Sequence, residues 1–212
     1  MAIDCVCPEG DLADLDPNQC KITKLPKISK MIFQKVDGTN VFVTAVDGIE
    51  EATSWVAPFA LAATAEKAII TPYLSEVTFS EPDLIEGTEN FDGATTVDAS
   101  GTQLVSATIE NAHPDTVAAI NSLGCISNLG VYFVFSNDFI QSNIAASTPL
   151  THQPILVSLD TFVGMLPSRE APLGSKYQYK FQFKLAPDWY QNSDVTKAEA
   201  GFSFNALVPA VV

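Results

Sequence analysis

The residues Tyr177-Gln178-Tyr179-Lys180-Phe181-Gln182-Phe183-Lys184 alternate aromatic and polar side chains without a break. Successive side chains of an extended strand point to opposite faces, so this stretch buries its aromatics only as a strand with one wet face. A helix would scatter the same rings around its circumference. Thr102 to Glu110 alternates in the same way, with Val105, Ala107 and Ile109 set against Ser106, Thr108 and Glu110. Val131-Tyr132-Phe133-Val134-Phe135 is different: it is almost continuously apolar and calls for cover on both faces.

The remaining grammar is mostly strands and turns. Met31 to Val36 reads as a strand, Asp37-Gly38-Thr39-Asn40 as a tight turn and Val41-Phe42-Val43 as its return, a first hairpin. Glu51 to Ala63 is rich in helix formers but contains Pro58, which predicts a short helix near Thr53 or a second start at Pro58. Lys67 to Tyr73 and Val77 to Phe79 are strand-like. Asn111 to Asp115 opens a helix over 114–123, with Pro114 in its first turn and Asp115 at the positive end of the dipole. Val117, Ile120 and Leu123 share its apolar face, and Gly124 is placed for a left-handed cap. A Ser/Asn/Thr/Pro-rich loop is expected at 141–154, a strand from Pro154 to Val163 and a long turn from Pro167 to Gly174. Phe202-Ser203-Phe204 and Leu207-Val208 read as an edge strand or a docking tail.

These patterns predict a mainly β chain: an antiparallel β-sandwich or barrel with one or two short α-helices packed on its side. No Pro/Gly linker separates two apolar blocks. The expected organisation is an acidic, then Lys-rich, extended arm over 1–26 and a single β-rich domain over 27–212, with a long loop near 80–100.

Charge limits the function. The chain carries 25 acidic and 11 basic side chains, a net −14, and Lys67 is the only cation between Asp37 and Leu166. A body so poor in cations repels phosphate backbones, which argues against nucleic-acid capture. Lys21, Lys24, Lys27, Lys30 and Lys35 form a positive strip just ahead of it. Such a strip either meets the acidic face of an identical neighbour or offsets its own acidic arm. The 80–100 segment holds five acids between Glu81 and Asp92, with Leu84, Ile85 and Phe91 as apolar anchors that can seat it on a neighbour. The candidate assembly contacts are therefore Lys21, Lys24, Lys27, Lys30, Leu84, Ile85 and Phe91.

Signs of chemistry are sparse. Cys5, Cys7, Cys20 and Cys125 lack the paired C-x-x-C hooks of a zinc site, and Cys125 reads as a small buried apolar residue. The 80–100 acids do not follow the ligand spacing of a calcium loop. His113 and His152 are the only imidazoles, and His113 reads as a helix-entry residue. No nucleophile elbow, phosphate loop or haem pattern is present, so neither an enzyme nor a cofactor is expected. No apolar run approaches the ~20 residues that cross a bilayer. The start lacks the basic and apolar regions of a secretory signal, so folding in a host cytoplasm is expected.

The order of elements resembles that of phage tail tube (major tail) proteins, in particular those of phages and prophages of Bacteroidetes-type hosts. The resemblance is carried by the Thr102–Glu110 strand, the 114–123 helix, Gly124-Cys125 and the Val131–Phe135 strand. The early Lys30-Met31-Ile32-Phe33 strand, the small helix with Trp55 and the Pro167 turn before Tyr177–Lys184 extend it over roughly 27–190. It implies a virion structural protein whose copies form hexameric rings, stacked into a tube around an acidic conduit that DNA crosses without specific binding. Its partners would be itself and other virion proteins. Two other classes fit the same profile. One is another virion component, a capsid decoration or tail-completion protein. The other is a sugar-binding β-sandwich using Trp55, Trp189 and Tyr190, although Trp55 on a helix is expected in the core.

Overall fold

The computed structural model describes residues 26–36, 42–43, 48–60, 67–81, 84–89, 95–147, 149–158, 161–167 and 177–208. The chain is mainly β, with two antiparallel sheets packed face to face and two short helices. One sheet is built on β1 (Ile28–Lys35) and β8 (Leu129–Phe135), which pair from Ile28–Phe135 to Lys35–Leu129. β3 (Ile69–Ile70) flanks β1, and β9 (Phe139–Ser147), β10 (Leu150–Gln153), β2 (Phe42–Val43) and β14 (Ser193–Lys197) continue beyond β8. The second sheet runs β12 (Val163–Pro167), β13 (Gln178–Leu185), β7 (Gln103–Glu110), β4 (Glu76–Phe79).

Two short segments change sheets and close the edges. Thr71 and Leu74 donate to Met31 O and Ser29 O of β1, and the next residue, Ser75, donates to Thr108 O of β7. At the opposite edge β11 (Ile155–Leu156) pairs with β8, after which Val157 bridges Leu185 and Ser158 donates to Lys184 O of β13. The sandwich is thus laced into a barrel-like closure, which leaves fewer raw edges. β8 can lie this close to the crossing strand because position 130 is Gly: a Cβ there would come within 2.7 Å of Pro154 Cβ.

The period-two pattern sorts the core into two layers. Odd-numbered residues of β1, β7, β8 and β13 (Met31, Phe33, Val105, Ala107, Val131, Phe133, Phe181 and Phe183 among them) fill the space between the sheets. The even-numbered Ile32, Tyr132 and Val134 face outward but are covered by Trp55, Phe42, Ile49 and Phe204. All seven residues of β8 are buried, as its unbroken apolar run requires. The cover comes from α1 (Ala52–Ala60) and the chain end near Phe204.

Several details differ from the sequence reading. β2 pairs with β10 rather than with β1, so Phe42-Val43 is not the return arm of a first hairpin; the turn at 37–40 lies outside the described residues. Pro58 sits inside α1, late enough that its missing N–H removes a bond only near the C-terminal end. The polar stretch at 141–154 is a β9–β10 hairpin, not a loop. The expected 154–163 strand is divided: the chain leaves one sheet at Leu156, touches the other at Val157 and Ser158, and pairs with it again as β12 from Val163. Only Ile69 and Ile70 of the expected Lys67–Tyr73 strand are ladder-paired. β14 (Ser-Asp-Val-Thr-Lys) has neither an apolar run nor an aromatic alternation and is defined by its pairing with β9.

α2 (Pro114–Ser122) begins as expected, with His113 at its N-cap accepting from the Asp115 N–H. Its end does not. Gly124 lies inside a 3-10 turn, Leu123–Cys125, and Gly201 is the only described glycine with positive φ. The helix tightens instead of closing on a left-handed residue.

Candidate assembly surface

Between β4 and β7 the chain forms a second antiparallel strand pair. Equal steps along both strands separate the Phe79–Val105 pair from the Leu84–Ser100 pair of β5 (Leu84–Glu89) and β6 (Thr95–Ser100). The two pairs therefore share a register frame but belong to separate sheets, and Pro82 and Asp83 between β4 and β5 lie outside the described residues. β5 and β6 make a two-stranded sheet of their own, with no third strand among the described residues. Leu84 and Ile85 are its first residues, while Phe91 lies outside the described residues. The long loop expected near 80–100 is instead largely paired strand, Leu84–Glu89 with Thr95–Ser100.

The chain next to this pair is fastened to the barrel end. Gln103 Nε2 donates to Ser80 O at 2.7 Å, and its Oε1 accepts from Trp189 Nε1 at 3.0 Å. Trp189 stacks on Phe79 and stands edge-on to Phe133. Trp55 is fully buried in the other core layer. Trp55, Trp189 and Tyr190 therefore do not form a shared stacking platform, although Tyr190 itself is exposed.

Of the four candidate lysines, Lys27 and Lys30 are described, and they make different contacts. Lys21 and Lys24 lie outside the described residues. Lys27 is exposed and donates to Ser75 O. Lys30 points, like Ile32, to the outer layer, where its Nζ donates to Asn205 O at 2.6 Å and Leu207 O at 2.8 Å beneath the Tyr73 ring. Burial lowers its pKa. Lys30 thus holds the chain's own C-terminal segment. Asn205 completes that latch: its side chain donates to Phe135 O and Asp138 Oδ1 and accepts from Ser29 Oγ. Burial of Asp138 opposes ionisation, but hydrogen bonds from Ser203 and Asn205 outweigh it and hold the carboxyl below its usual range. The docking-tail reading of Phe202–Val208 describes this segment better than the edge-strand one.

A buried Ser-His-Asp group exists but has the wrong geometry for nucleophilic catalysis. Ser142 Oγ lies 3.0 Å from His152 Nδ1, and Asp194 Oδ2 lies 4.0 Å from the same nitrogen. A relay needs the hydroxyl on the other ring nitrogen and open to substrate, whereas Ser142 is fully buried. Desolvation lowers the His152 pKa, against the pull of Asp194 and Glu50, so the ring is neutral at pH 7. Among the described residues no three His, Cys, Asp or Glu side chains converge on a metal-sized site. No helix of the described residues is long and apolar enough to cross a membrane.

A cavity of about 170 Å³ opens beside the 3-10 turn after α2, walled by Leu123, Ile126, Leu129, Val157 and Phe162 with Ser127 and Ser158. Cys125 lies at this cavity and is exposed, contrary to its expected burial, because the tightened helix end turns it outward. The volume falls below the ~300 Å³ at which small-molecule sites begin. No protein-family profile matches the chain, and no curated protein matches its sequence.

Proposed function

We propose that the chain is a structural subunit of a phage tail tube, assembling with its own copies into six-membered rings that stack around a DNA conduit. The observation that carries this reading is the β5–β6 pair, which forms a two-stranded sheet of its own among the described residues. A two-stranded ribbon is at best marginal in water, and it gains stability when a neighbour supplies a third strand or an apolar floor. Leu84, Ile85 and Phe91 are the residues assigned to that contact.

The charge distribution supports the same role. A body nearly free of cations between Asp37 and Leu166 lets a polyanion pass without holding it. Light scattering over a range of protein concentrations and salt tests the reading. Masses rising from the 22.7 kDa chain to a ring of six and beyond are expected. A single 22.7 kDa species at every concentration and salt would refute it.

A further inference from the structure

β12 is an end strand of its sheet and has the composition of a pairing template. Val163-Gly164-Met165-Leu166-Pro167 carries no charge, and Val163 and Leu166 are 48% and 61% exposed. An uncharged edge strand with exposed aliphatics is the kind to which another chain adds a strand. This edge is nevertheless closed. The register with β13 slips between Val163 and Leu166, and in that irregular step the Met165 N–H donates to Asn121 Oδ1 of α2 at 2.6 Å. Pro167, at the strand's end, has no N–H to offer.

α2 reaches the strand because position 164 is glycine. A Cβ there would lie 3.1 Å from Asn121 Cγ and collide with its amide oxygen. Gly164 has no positive φ, so it serves this close approach rather than a turn. Ile120 and Leu123, beside Asn121 in sequence, are buried in the core between the sheets and seat the helix end. Asn121 thus takes up an amide that an added strand would need. We infer that α2 is an autoinhibitory guard of the β12 edge: while Asn121 holds the Met165 N–H, a strand of a second copy cannot pair there, and displacing Asn121 turns β12 into an association surface. The choice of a second copy rests on the self-assembly proposed above, whereas the seal rests on Asn121, Gly164 and Met165 alone.

Two full-length variants unseat the guard by different routes. Asn121→Ala removes the acceptor, and Gly164→Ala drives the Asn121 side chain from its place. In light scattering over a concentration series, both are expected to associate at a concentration at least tenfold lower than the parent. Adding Leu166→Lys, a charge on the exposed edge, should return each to parental behaviour. Asn121→Asp, which keeps an acceptor, should match the parent from the start. Folded variants that associate no more readily than the parent would overturn the inference, and rings formed by that parent would leave the tail-tube reading standing. Association that Leu166→Lys leaves intact would also overturn it, because the contact would then lie on another surface. A parent that stays monomeric while the unsealed variants associate would support the guard and refute the tail-tube reading. The parent alone supplies a check that needs no variant to fold. Its Met165 amide should exchange with deuterium as slowly in the monomer as the ladder amides of 180–184. Exchange at the rate of an exposed amide would overturn the seal.

Discussion

Asn205 fastens the end of the described chain to three places at once: Ser29 on β1, Phe135 on β8 and Asp138 in the turn that follows. Each of those groups loses one hydrogen bond if the side chain is cut back, while Ser29 Oγ keeps Val134 O, Phe135 O keeps the Asp138 N–H and Asp138 keeps the Ser203 hydroxyl. Asn205→Ala is expected to destabilise the fold by about 2–3 kcal/mol, measured by urea unfolding. Asn205→Asp should also destabilise it, by placing a carboxylate against Asp138. His152 adds a pH dependence of known sign. Its folded pKa lies below the 6.5 of the unfolded chain, because burial penalises the imidazolium more than Asp194 and Glu50 favour it. The unfolded state therefore binds the extra proton first, and stability is lost as pH falls from about 6.5 through the folded pKa. Melting temperatures from pH 8 to 5 should decline across that window, and His152→Gln should flatten the decline. An unchanged slope in the variant would assign it to other groups.

Elements with a strong period were readable from sequence, and those defined by partners were not. β7, β8 and β13 follow directly from alternation or unbroken apolarity, because burial on one face or two leaves a mark on every second residue. β9 and β10 leave no such mark. Their Ser142 and His152 are buried polar residues satisfied by each other, so the stretch has the composition of a loop while lying within a sheet. The corners at Thr71–Leu74 and Val157–Ser158 depend on which sheet the next residue reaches, a tertiary decision with no local signature. The paired strands within 80–100 were not legible, because an acidic, Gly-dotted stretch has the composition of a loop. Lys30 was indistinguishable in sequence from its exposed neighbour Lys27, since both are lysines of one strip and only the two faces of the extended chain separate them. The β5–β6 ribbon yields a prediction at this scale. In the isolated subunit, amides of 84–89 and 95–100 should exchange with deuterium far faster than those of 103–110, and they should gain protection on assembly. Equal exchange in free and assembled protein would exclude the ribbon as a contact.

At the scale of the whole molecule, an acidic body and a short basic strip are separated along one chain. Lys30 is committed to the C-terminal latch, so a test of the strip must leave it in place. Lys21→Gln, Lys24→Gln and Lys27→Gln together remove three charges beside an arm with five carboxylates. If those lysines meet a neighbour's acids, the variant should fold normally yet assemble more slowly, and high salt should slow the parent to the same rate. Equal assembly of variant and parent at low salt would confine the strip to its own arm.

The central claim is that copies of this chain build a stacked ring, and electron microscopy of the concentrated protein tests it most directly. The expected images show six-fold rings with an open channel, and side views in which rings stack into tubes of constant width. Fields containing only single small particles, or closed shells without a channel, at every concentration and salt would contradict the claim.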